Sequence, residues 1–370
     1  MKELCIKDIC KKDSSSLKQK ELKESGRYPV YGASGVAGYL DSYQQGESYI
    51  GIVKDGSGIG RVALYSKKTS LIGTMQYILP KEGYDIRYIG YCLQSLDLSK
   101  YKQGAAIPHI YFRDYGERKV NVTDDLKEQQ RIVSRLDSAF AYIDELKANA
   151  EKQLSEARSL FQKALTKAME PKEGWEEKQL SSIVHSECSL SYGIVQPGDH
   201  VENGIPVVRP VDFNNKLIVG IEGLKRTKKE ISDAYKRTIL KGGEILFCVR
   251  GTTGTMGLAS KELCGCNVTR GIVPMFFDED TNLMFVYYQL LSARLQDEIQ
   301  KETTGAALKQ INIKDLRNLQ LYLPPLTEQQ HIVSRLDSLS AHVRELEEVL
   351  QKTIVECDAL KQALLRKVFE

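Results

Sequence analysis

The sequence predicts an α+β protein in which two mixed α/β domains alternate with two long helices, and the helices pair as an antiparallel coiled coil with approximate twofold pseudosymmetry. Three observations predict this fold. A 45-residue segment is repeated at a constant offset of 200 positions, both copies lack glycine and proline, and the remaining regions are rich in glycine and strand-like runs. The predicted parts are a first domain at 1–125, a helix at 126–170, a second domain at 171–325 and a helix at 326–370.

The composition excludes several classes of protein. The 370 residues carry 52 Lys and Arg against 49 Asp and Glu, so the formal net charge of +3 excludes a histone-like polycation. With 42% hydrophobic and 27% charged residues, the chain matches globular proteins of two or three domains. No run of about 18 apolar residues and no signal peptide is found, so we expect a cytoplasmic protein with no membrane partner. The eight cysteines lack zinc-site spacing and are expected to be reduced thiols.

The repeat is strongest where the two helices begin. At the offset of 200, 21 of the 45 positions in 126–170 are identical to their counterparts. In 128–138 against 328–338, ten of eleven positions match. Both helix starts are therefore expected to have the same role.

Apolar residues in both helical segments recur at alternating spacings of four and three, which is typical of a coiled-coil heptad. The alternative is two amphipathic helices that each pack on their own domain. A helix of 45 residues is about 65 Å long, so most of its apolar stripe would be exposed without a partner helix. The predicted seam comprises Ile132, Leu136, Ala139, Ile143, Leu146 and Ala150 with Ile332, Leu336, Leu339, Val343, Leu346 and Leu350, and it resumes at Ala157, Leu160 and Ala164 and at Cys357, Leu360 and Leu364.

The order of the segments predicts the orientation of the helices. The region 171–325 follows the end of the first helix and precedes the start of the second. Since a compact domain keeps its termini fairly close together, these two helix ends should be neighbours. The helices are therefore expected to pair antiparallel.

The two glycine-rich regions are expected to be diverged relatives. In each, an apolar run leads into a glycine turn, and a Gly-Ala-Ala segment precedes the next helix. Because the helices have diverged less than the domains, we infer two recognition units for different targets on a common spacer. The matched segments are 46–54 with 243–250, 104–106 with 305–307, and Asp114 with Asp315.

The sequence contains no set of residues typical of catalysis. A Walker A loop and the Asn-Pro-Pro-aromatic motif of amino-methyltransferases are absent, and the glycines at 56, 58 and 60 predict a hairpin turn rather than a dinucleotide loop. Asp13, Glu21 and Lys23 resemble a nuclease carboxylate set, but their Lys-rich surroundings favour a solvated helix face. The histidines, at 109, 185, 200, 331 and 342, show no metal-ligand spacing and are interpreted as ordinary surface or core residues.

Residues beside the glycine turns indicate nucleic-acid binding. Cationic and hydroxyl side chains there suit phosphates, and arginine or amide side chains suit base edges. Ordinary solvated residues are the alternative for each of them. The region 1–125 holds the excess positive charge, 19 Lys and Arg against 15 Asp and Glu. The phosphate candidates are Lys54, Ser57, Arg61, Arg250, Thr252 and Thr253, and the base candidates are Gln76, Arg209, Asn267, Arg270, Gln310 and Asn312.

Several motifs together resemble the specificity subunits of type I restriction-modification systems. The stretch Leu-Pro-Pro-Leu-Thr-Glu-Gln-Gln-His-Ile-Val-Ser-Arg-Leu-Asp ends at Asp337, and its partner copy ends at Asp137. The alternation of domains and helices is also similar. One departure is that 1–125 is shorter than 171–325 and has no counterpart of Trp175 and Glu176. Segments that look like parts of target recognition domains are 28–39, 192–198 and 204–209.

The resemblance implies a non-catalytic subunit that recognises DNA. Each target recognition domain would read half of a bipartite site in double-stranded DNA, and the coiled coil would set the gap between the halves. The implied partners are two methyltransferase subunits, which bind S-adenosylmethionine and flip an adenine, and restriction-translocase subunits. No cofactor is expected on this chain, since ATP and Mg²⁺ also belong to partners. The residues implied in the coiled coil and in docking are Glu128, Gln129, Gln130, Leu136 and Ile143 with Glu328, Gln329, Gln330, Leu336 and Val343.

The sequence leaves three other interpretations open. One is the recognition subunit of a related combined restriction-methylation enzyme. Another is a structural adaptor whose coiled coil bridges two β-rich binding domains, although it leaves the paired Glu-Gln-Gln helix starts unexplained. The third, an autonomous nuclease, depends only on Glu21 and Lys23.

Overall fold

The computed structural model contains two long helices, α4 (Leu126–Ala168) and α10 (Leu326–Phe369). They contain 43 and 44 residues and confirm the long helices that the heptad pattern predicts. Within the described residues, no helix is both long and apolar enough to cross a membrane. The structure describes residues 1–104, 108–213, 217–305 and 309–370, and it divides into a first unit of 1–153 with 349–370 and a second unit of 154–348.

The described part of the first unit contains three sheets. Their strand orders are β2-β8-β5-β6, β4-β3-β7 and β1-β9. Short 3-10 turns lie at Gln19–Glu21 and Leu98–Tyr101. The elements are β1 (Lys2–Cys5), α1 (Ile6–Ile9), β2 (Cys10–Ser14), β3 (Tyr28–Gly32), β4 (Gly35–Leu40), β5 (Tyr49–Val53), β6 (Val62–Tyr65), β7 (Ser70–Leu71), β8 (Met75–Pro80), α2 (Ile86–Ser95), α3 (Phe112–Tyr115) and β9 (Lys119–Val122).

The core of the first unit lies among the four-stranded sheet, α2 and both long helices. All of β5 is buried, and its Ile50 and Ile52 pack in the same cluster as Leu136 of α4. The last turn of α10 closes this core, because Phe369 is buried with its ring centroid 5.1 Å from that of Tyr88. The β-branched residues of β5 favour the strand, and burial of its apolar side chains stabilises the packing.

The described part of the second unit repeats this plan. Its sheets have the orders β12-β15-β14-β17, β13-β11-β16 and β10-β18. Short 3-10 turns lie at Pro210–Phe213, Lys236–Thr238 and Lys261–Leu263. The elements are β10 (Glu176–Gln179), α5 (Leu180–Ile183), β11 (Ile205–Val208), β12 (Ile218–Val219), β13 (Lys225–Thr227), α6 (Lys229–Asp233), β14 (Ile245–Cys248), β15 (Met256–Ala259), β16 (Asn267–Val268), β17 (Ile272–Met275), α7 (Leu283–Leu291), α8 (Ala293–Lys301), α9 (Ile313–Arg317) and β18 (Gln320–Leu323).

Strand pairing shows how closely the two units correspond. In each three-stranded sheet the central strand, β3 or β11, pairs antiparallel with one neighbour and parallel with the other. In each four-stranded sheet a buried strand, β5 or β14, lies between two antiparallel partners. The fourth strand differs, since β2 joins beside β8 whereas β12 joins beside β15. The units therefore share a frame and diverge at its edges.

The long helices run antiparallel within each unit. In the first unit the Nζ of Lys147 on α4 lies 2.7 Å from Asp358 on α10. In the second unit the Nε of Arg158 lies 2.7 Å from Glu347. Each unit thus packs the start of one long helix against the end of the other, and the predicted mixed fold with paired helices is confirmed.

The predicted seam is wrong at four leucines. Each is displaced by one residue from a position facing the other helix, and one residue is about 100° around a helix. The half-buried positions that follow these leucines are Lys147, Glu347, Phe161 and Lys361. Three of them form ion pairs, Lys147 with Asp358, Glu347 with Arg158 and Lys361 with Asp144. The leucines, Leu146, Leu346, Leu160 and Leu360, are 41%, 42%, 58% and 48% exposed.

Candidate nucleic-acid interface

A glycine turn joins β5 to β6 in the first unit and lies beside the strand-like segment at 108–110. The backbone N–H of Gly60 donates to Val53 O at 2.8 Å, and that of Gly56 donates to Pro108 O at 3.0 Å. Gly56 and Gly60 have φ values of 83° and 85°, which side chains other than glycine rarely adopt. The glycine spacing therefore gives the hairpin turn that the sequence predicts.

The second unit builds the same turn after β14. The N–H of Gly254 donates to Cys248 O at 2.9 Å, and that of Gly251 donates to Lys309 O at 2.9 Å. These bonds match Gly251 with Gly56 and therefore Arg250 with Asp55. The sequence alignment, which matched Lys54 with Arg250, is wrong by one residue at this turn. Its Gly-Ala-Ala match extends to residues outside the described part of the chain.

Three phosphate candidates lie on the first turn. Lys54 is half-buried and forms an ion pair with the neighbouring carboxylate of Asp55. Ser57 and Arg61 are exposed, and the Nε of Arg61 donates to Gly58 O at 3.2 Å. Ser57 and Arg61 are thus available at the surface, whereas the charge of Lys54 is partly neutralised.

The second turn presents a different set. Arg250 is half-buried and Thr252 is exposed. Thr253 is buried, and its Oγ1 donates to Lys309 O at 3.2 Å. The expectation of a phosphate contact is therefore wrong for Thr253, because its hydroxyl ties the turn to the adjoining segment.

Two of the base candidates are interior residues. Gln76 is buried in β8, where its Nε2 donates to the Tyr115 hydroxyl at 2.5 Å. Asn267 is buried in β16, where its Nδ2 donates to Ser232 Oγ at 3.1 Å. The base contacts expected of Gln76 and Asn267 are therefore wrong, because both amides are buried and form hydrogen bonds with other buried polar groups.

The other four base candidates lie nearer the surface of the second unit. The guanidinium of Arg209 contacts Asp212 through Nε at 3.1 Å and through its terminal nitrogen at 2.7 Å, and this hydrogen bonding raises the pKa of Arg209. Arg270 is exposed. Gln310 is half-buried beside Arg250, and Asn312 is exposed. Gln310 is thus the base candidate that lies beside Arg250, a phosphate candidate of the second turn.

The central glutamines of the two Glu-Gln-Gln helix starts are also interior. Gln129 is 0% exposed and Gln329 is 2% exposed. The Oε1 of Gln129 accepts from Asp85 N at 2.7 Å, and that of Gln329 accepts from Asn282 N at 2.8 Å. The expectation that they dock a partner subunit is wrong, since each amide instead fastens a short helix to a long one.

The flanking residues of these helix starts remain accessible. Gln130 and Gln330 are exposed, and the two glutamates are half-buried. Glu128 pairs with Arg131 at 2.6 Å, and this hydrogen bond lowers the pKa of the Glu128 carboxyl. Glu328 lies 3.6 Å from the Nζ of Lys172. Deeper in the helix pair, Leu136, Ile143 and Leu336 are buried and Val343 is half-buried.

Comparison with known proteins identifies the family. The family model of the type I restriction modification DNA specificity domain matches residues 1–156 and 172–356. The chain belongs to this family. The family model describes a DNA specificity domain and matches the chain twice, once in each half.

The specificity chain has relatives and structural neighbours of the same kind. It is 29% identical over 269 residues to the EcoBI specificity subunit of Escherichia coli, a match covering 66% of this chain and 56% of that subunit. It is 24% identical over 403 residues to the putative MjaX specificity subunit of Methanocaldococcus jannaschii, covering 97% and 90%. A chain of a type I restriction-modification system shares the fold at a TM-score of 0.76, with 18% identity and coverage of 99% and 97%. The HsdS subunit of Thermoanaerobacter tengcongensis gives 0.54, with 17% identity and coverage of 99% and 96%.

The sequence interpretation missed a surface group in the first unit of this specificity chain. The Nδ1 of His109 lies 2.7 Å from Asp55 Oδ1, and its ring is stacked beside Tyr111 at a centroid distance of 6.4 Å. The guanidinium carbon of Arg113 lies 4.8 Å from the centroid of the Tyr111 ring. The alternation His-x-Tyr-x-Arg at 109–113 is the sequence signal of this group, which the spacing of the histidines alone does not indicate.

Proposed function

We propose that this chain is the sequence-reading subunit of a type I restriction-modification complex and that each unit reads one half of a bipartite DNA site. The observation that carries the proposal is that the two units share a backbone arrangement at their glycine turns but differ in the side chains there. The turns at 54–61 and 249–257 have matching backbone hydrogen bonds, yet the equivalent residues Asp55 and Arg250 differ in charge. Equal frames with unequal surfaces fit two readers of different half-sites.

Methyltransferase subunits are proposed to dock on the long helices. Four leucines at matched positions of the repeat, 146 with 346 and 160 with 360, leave apolar surface accessible. Gln130 and Gln330 add a matched pair of exposed amides. A surface that is present twice on one chain fits two copies of one partner. S-adenosylmethionine, ATP and Mg²⁺ are proposed to bind to the methyltransferase and restriction-translocase partners.

The charge of the chain supports a need for such partners. A net charge of +3 supplies little of the phosphate neutralisation on which duplex affinity depends. Several cations near the candidate interface are already paired, among them Lys54 with Asp55 and Arg209 with Asp212. Partner subunits would therefore contribute much of the affinity for DNA.

Duplex binding tests this function directly. The chain is purified alone and with its cognate methyltransferase subunit, and affinity for duplexes from a random library is measured as a function of salt. We expect specific binding mainly in the complex, with a steep negative dependence on salt. Absence of duplex binding in both states would contradict the function, and metal-dependent cleavage by the chain alone would favour a nuclease.

Docking has its own test. Replacing Leu146→Lys together with Leu346→Lys should abolish co-purification with the methyltransferase subunit, because two charges would enter an apolar contact. The control is Gln153→Lys, which adds a charge at another exposed position of α4. Equal retention of the partner by both variants would place docking elsewhere.

The helices are also proposed to set the gap between half-sites. A heptad inserted at matched positions of α4 and α10 lengthens each by about 10 Å, which corresponds to about three base pairs. Selection of bound duplexes should then return the same half-sites with a longer gap. Recovery of the original gap would contradict a spacer role.

A further inference from the structure

In each unit a short segment with alternating exposure, 109–113 or 310–314, begins about 50 residues after the glycine turn and lies against it, as the hydrogen bonds from Gly56 to Pro108 and from Gly251 to Lys309 show. In each unit this segment carries one half-buried and two exposed side chains at alternate positions, and we call these sets the first ladder and the second ladder. The first ladder is His109, Tyr111 and Arg113, and the second is Gln310, Asn312 and Lys314.

The two ladders have the same backbone frame. Gln103 and His109 exchange two hydrogen bonds of 2.8 Å, and Thr304 and Gln310 exchange bonds of 2.8 and 2.9 Å. Burial runs in the same order along 110–115 and 311–316, from a buried isoleucine through alternating exposed and half-buried residues to a buried residue. Position 109 therefore corresponds to 310, 111 to 312 and 113 to 314.

The first ladder is held in one arrangement by its neighbours. Because the Nδ1 of His109 faces a carboxylate oxygen of Asp55 at 2.7 Å, Nδ1 carries the hydrogen and donates it. In the neutral imidazole, Nε2 is then an acceptor, and it has no hydrogen-bond partner among the described residues. The ring of Tyr111 holds the exposed guanidinium of Arg113 over its face. The Nε of Arg113 also lies 3.5 Å from Asp114 Oδ1, so the first ladder offers one acceptor and one partly paired cation.

The second ladder offers amides. The side chain of Gln310 has no hydrogen bond to the described residues. Arg250 lies opposite Gln310 in an isolated antiparallel β-bridge. The Nδ2 of Asn312 lies 3.2 Å from Asp315 Oδ2, which leaves the other amide atoms accessible. Lys314 is exposed at the end. Glutamine and asparagine amides match the donor and acceptor pair of adenine, and arginine matches that of guanine.

We propose that the two ladders are the DNA-contacting edges of the two units and that they read their half-sites by different chemistry. This inference rests on the proposed function. In the first unit the Nε2 of His109 accepts from a base amino group, and Arg113 contacts phosphate. In the second unit Gln310 and Arg250 bond to purine edges. His109 and Gln310 occupy equivalent positions, as do Asp55 and Arg250. The two units would therefore recognise different half-sites with the same backbone arrangement.

Single substitutions in the complex with the methyltransferase subunit test the ladders. Arg113→Gln should weaken binding to all sequences by about tenfold and reduce the salt slope by about one, as loss of a phosphate contact does. The control Lys11→Gln removes an exposed positive charge on β2 of the same unit. It should leave affinity within about twofold of the parent.

Sequence-selective effects are expected from the amide and imidazole residues. Gln310→Ala should relax preference at one position of the second half-site by about tenfold and leave the first half-site unchanged. His109→Ala should do the same at one position of the first half-site. Gln179→Ala is the control for the second unit, since it removes an exposed amide at the end of β10, outside the segments that resemble parts of target recognition domains.

The outcomes separate this inference from the function on which it depends. If the parental complex binds no duplex, the proposed function and the ladders both fail. If the parental complex binds but ladder variants match their controls in affinity and selected sequence, the ladders alone are overturned. Circular dichroism melting of each variant verifies folding. Protection of Tyr111 from hydroxyl-radical oxidation on DNA binding is an independent expected result, and unchanged oxidation would count against the first ladder.

Discussion

The hydroxyl of Tyr288 donates a hydrogen bond of 2.6 Å to Oδ1 of Asp337. In the other unit, Tyr91 donates to Asp137 in the same way at 2.5 Å. Each bond joins a short helix, α7 or α2, to the start of a long helix. The sheet-bearing region of each unit is therefore fixed to its helix by the same contact.

Removing one of these hydroxyls should lower the stability of its unit by a measurable amount. Tyr288→Phe is expected to lower the free energy of unfolding by about 1 kcal/mol, because a hydrogen bond to a carboxylate is lost at a partly solvated site. Thermal unfolding followed by circular dichroism measures the change. Tyr322→Phe is the matched control, since its hydroxyl has no hydrogen bond to the described residues. Equal losses in the two variants would argue against a special role for the Asp337 contact.

Stability of the first unit should decline at alkaline pH. Burial, with a further contribution from the hydrogen bond to Asp137, raises the pKa of Tyr91 to about 12. The unfolded tyrosine titrates near pH 10, so the neutral phenol is favoured in the folded state. Its stabilising contribution is complete below about pH 10 and is lost as the pH rises toward 12.

A pH series of unfolding temperatures measures this effect. Between pH 9 and 11 the parent should lose more stability than Tyr91→Phe, which has no phenol to ionise. Other groups titrate equally in the two proteins, so the difference between them isolates Tyr91. Parallel pH profiles would show that ionisation of this hydroxyl is not linked to unfolding.

The buried glutamine of the first helix start should matter more than its exposed neighbour. Gln129→Ala removes the acceptor for Asp85 N and the donors to Gly83 O and Thr123 O at 3.0 and 2.9 Å. Leaving such groups unpaired should cost about 2 to 3 kcal/mol of the free energy of unfolding. Chemical denaturation provides the measurement. The neighbouring Gln130→Ala should change it by less than about 0.5 kcal/mol, and comparable losses would refute the anchoring role.

Alanine substitutions distinguish the observed helix seam from the predicted one. Leu136→Ala should destabilise the first unit by about 2 to 5 kcal/mol because it leaves a cavity in a packed core. Leu146→Ala should cost no more than about 1 kcal/mol, since this residue is 41% exposed and its truncation removes less buried apolar surface. If both substitutions destabilised equally, Leu146 would lie in the seam after all. Stability is measured on the chain without its partners, because Leu146 is proposed to contact one.

Much of the fold follows from local patterns. The absence of glycine and proline, together with a heptad of apolar residues, predicted two long helices because these features act within a few turns. Glycines at 56, 58 and 60 predicted a hairpin turn because positive φ angles are a property of the residue itself. The repeat then predicted that both halves share a plan, and the matched strand pairing of β3 and β11 agrees with it.

The candidate site was predicted less completely. Residue type indicated Gln76 and Asn267 as base readers, yet both amides satisfy interior partners. The same residue type at 310 lies at the surface beside Arg250. A sequence gives the hydrogen-bonding capacity of an amide, but burial depends on strands that are distant in the chain.

The sequence by itself determined the family, the paired long helices and the duplication of the plan, because each is written in contiguous residues or in a fixed offset. Only the tertiary structure decided which members of each motif face outward. Gln129 is interior and Gln130 is exposed, although they are adjacent, because the helix turns by about 100° per residue. The pairing of Asp55 with His109 likewise joins residues 54 positions apart. Such contacts form between segments that are distant in the chain, and local sequence patterns do not reveal which segments these are.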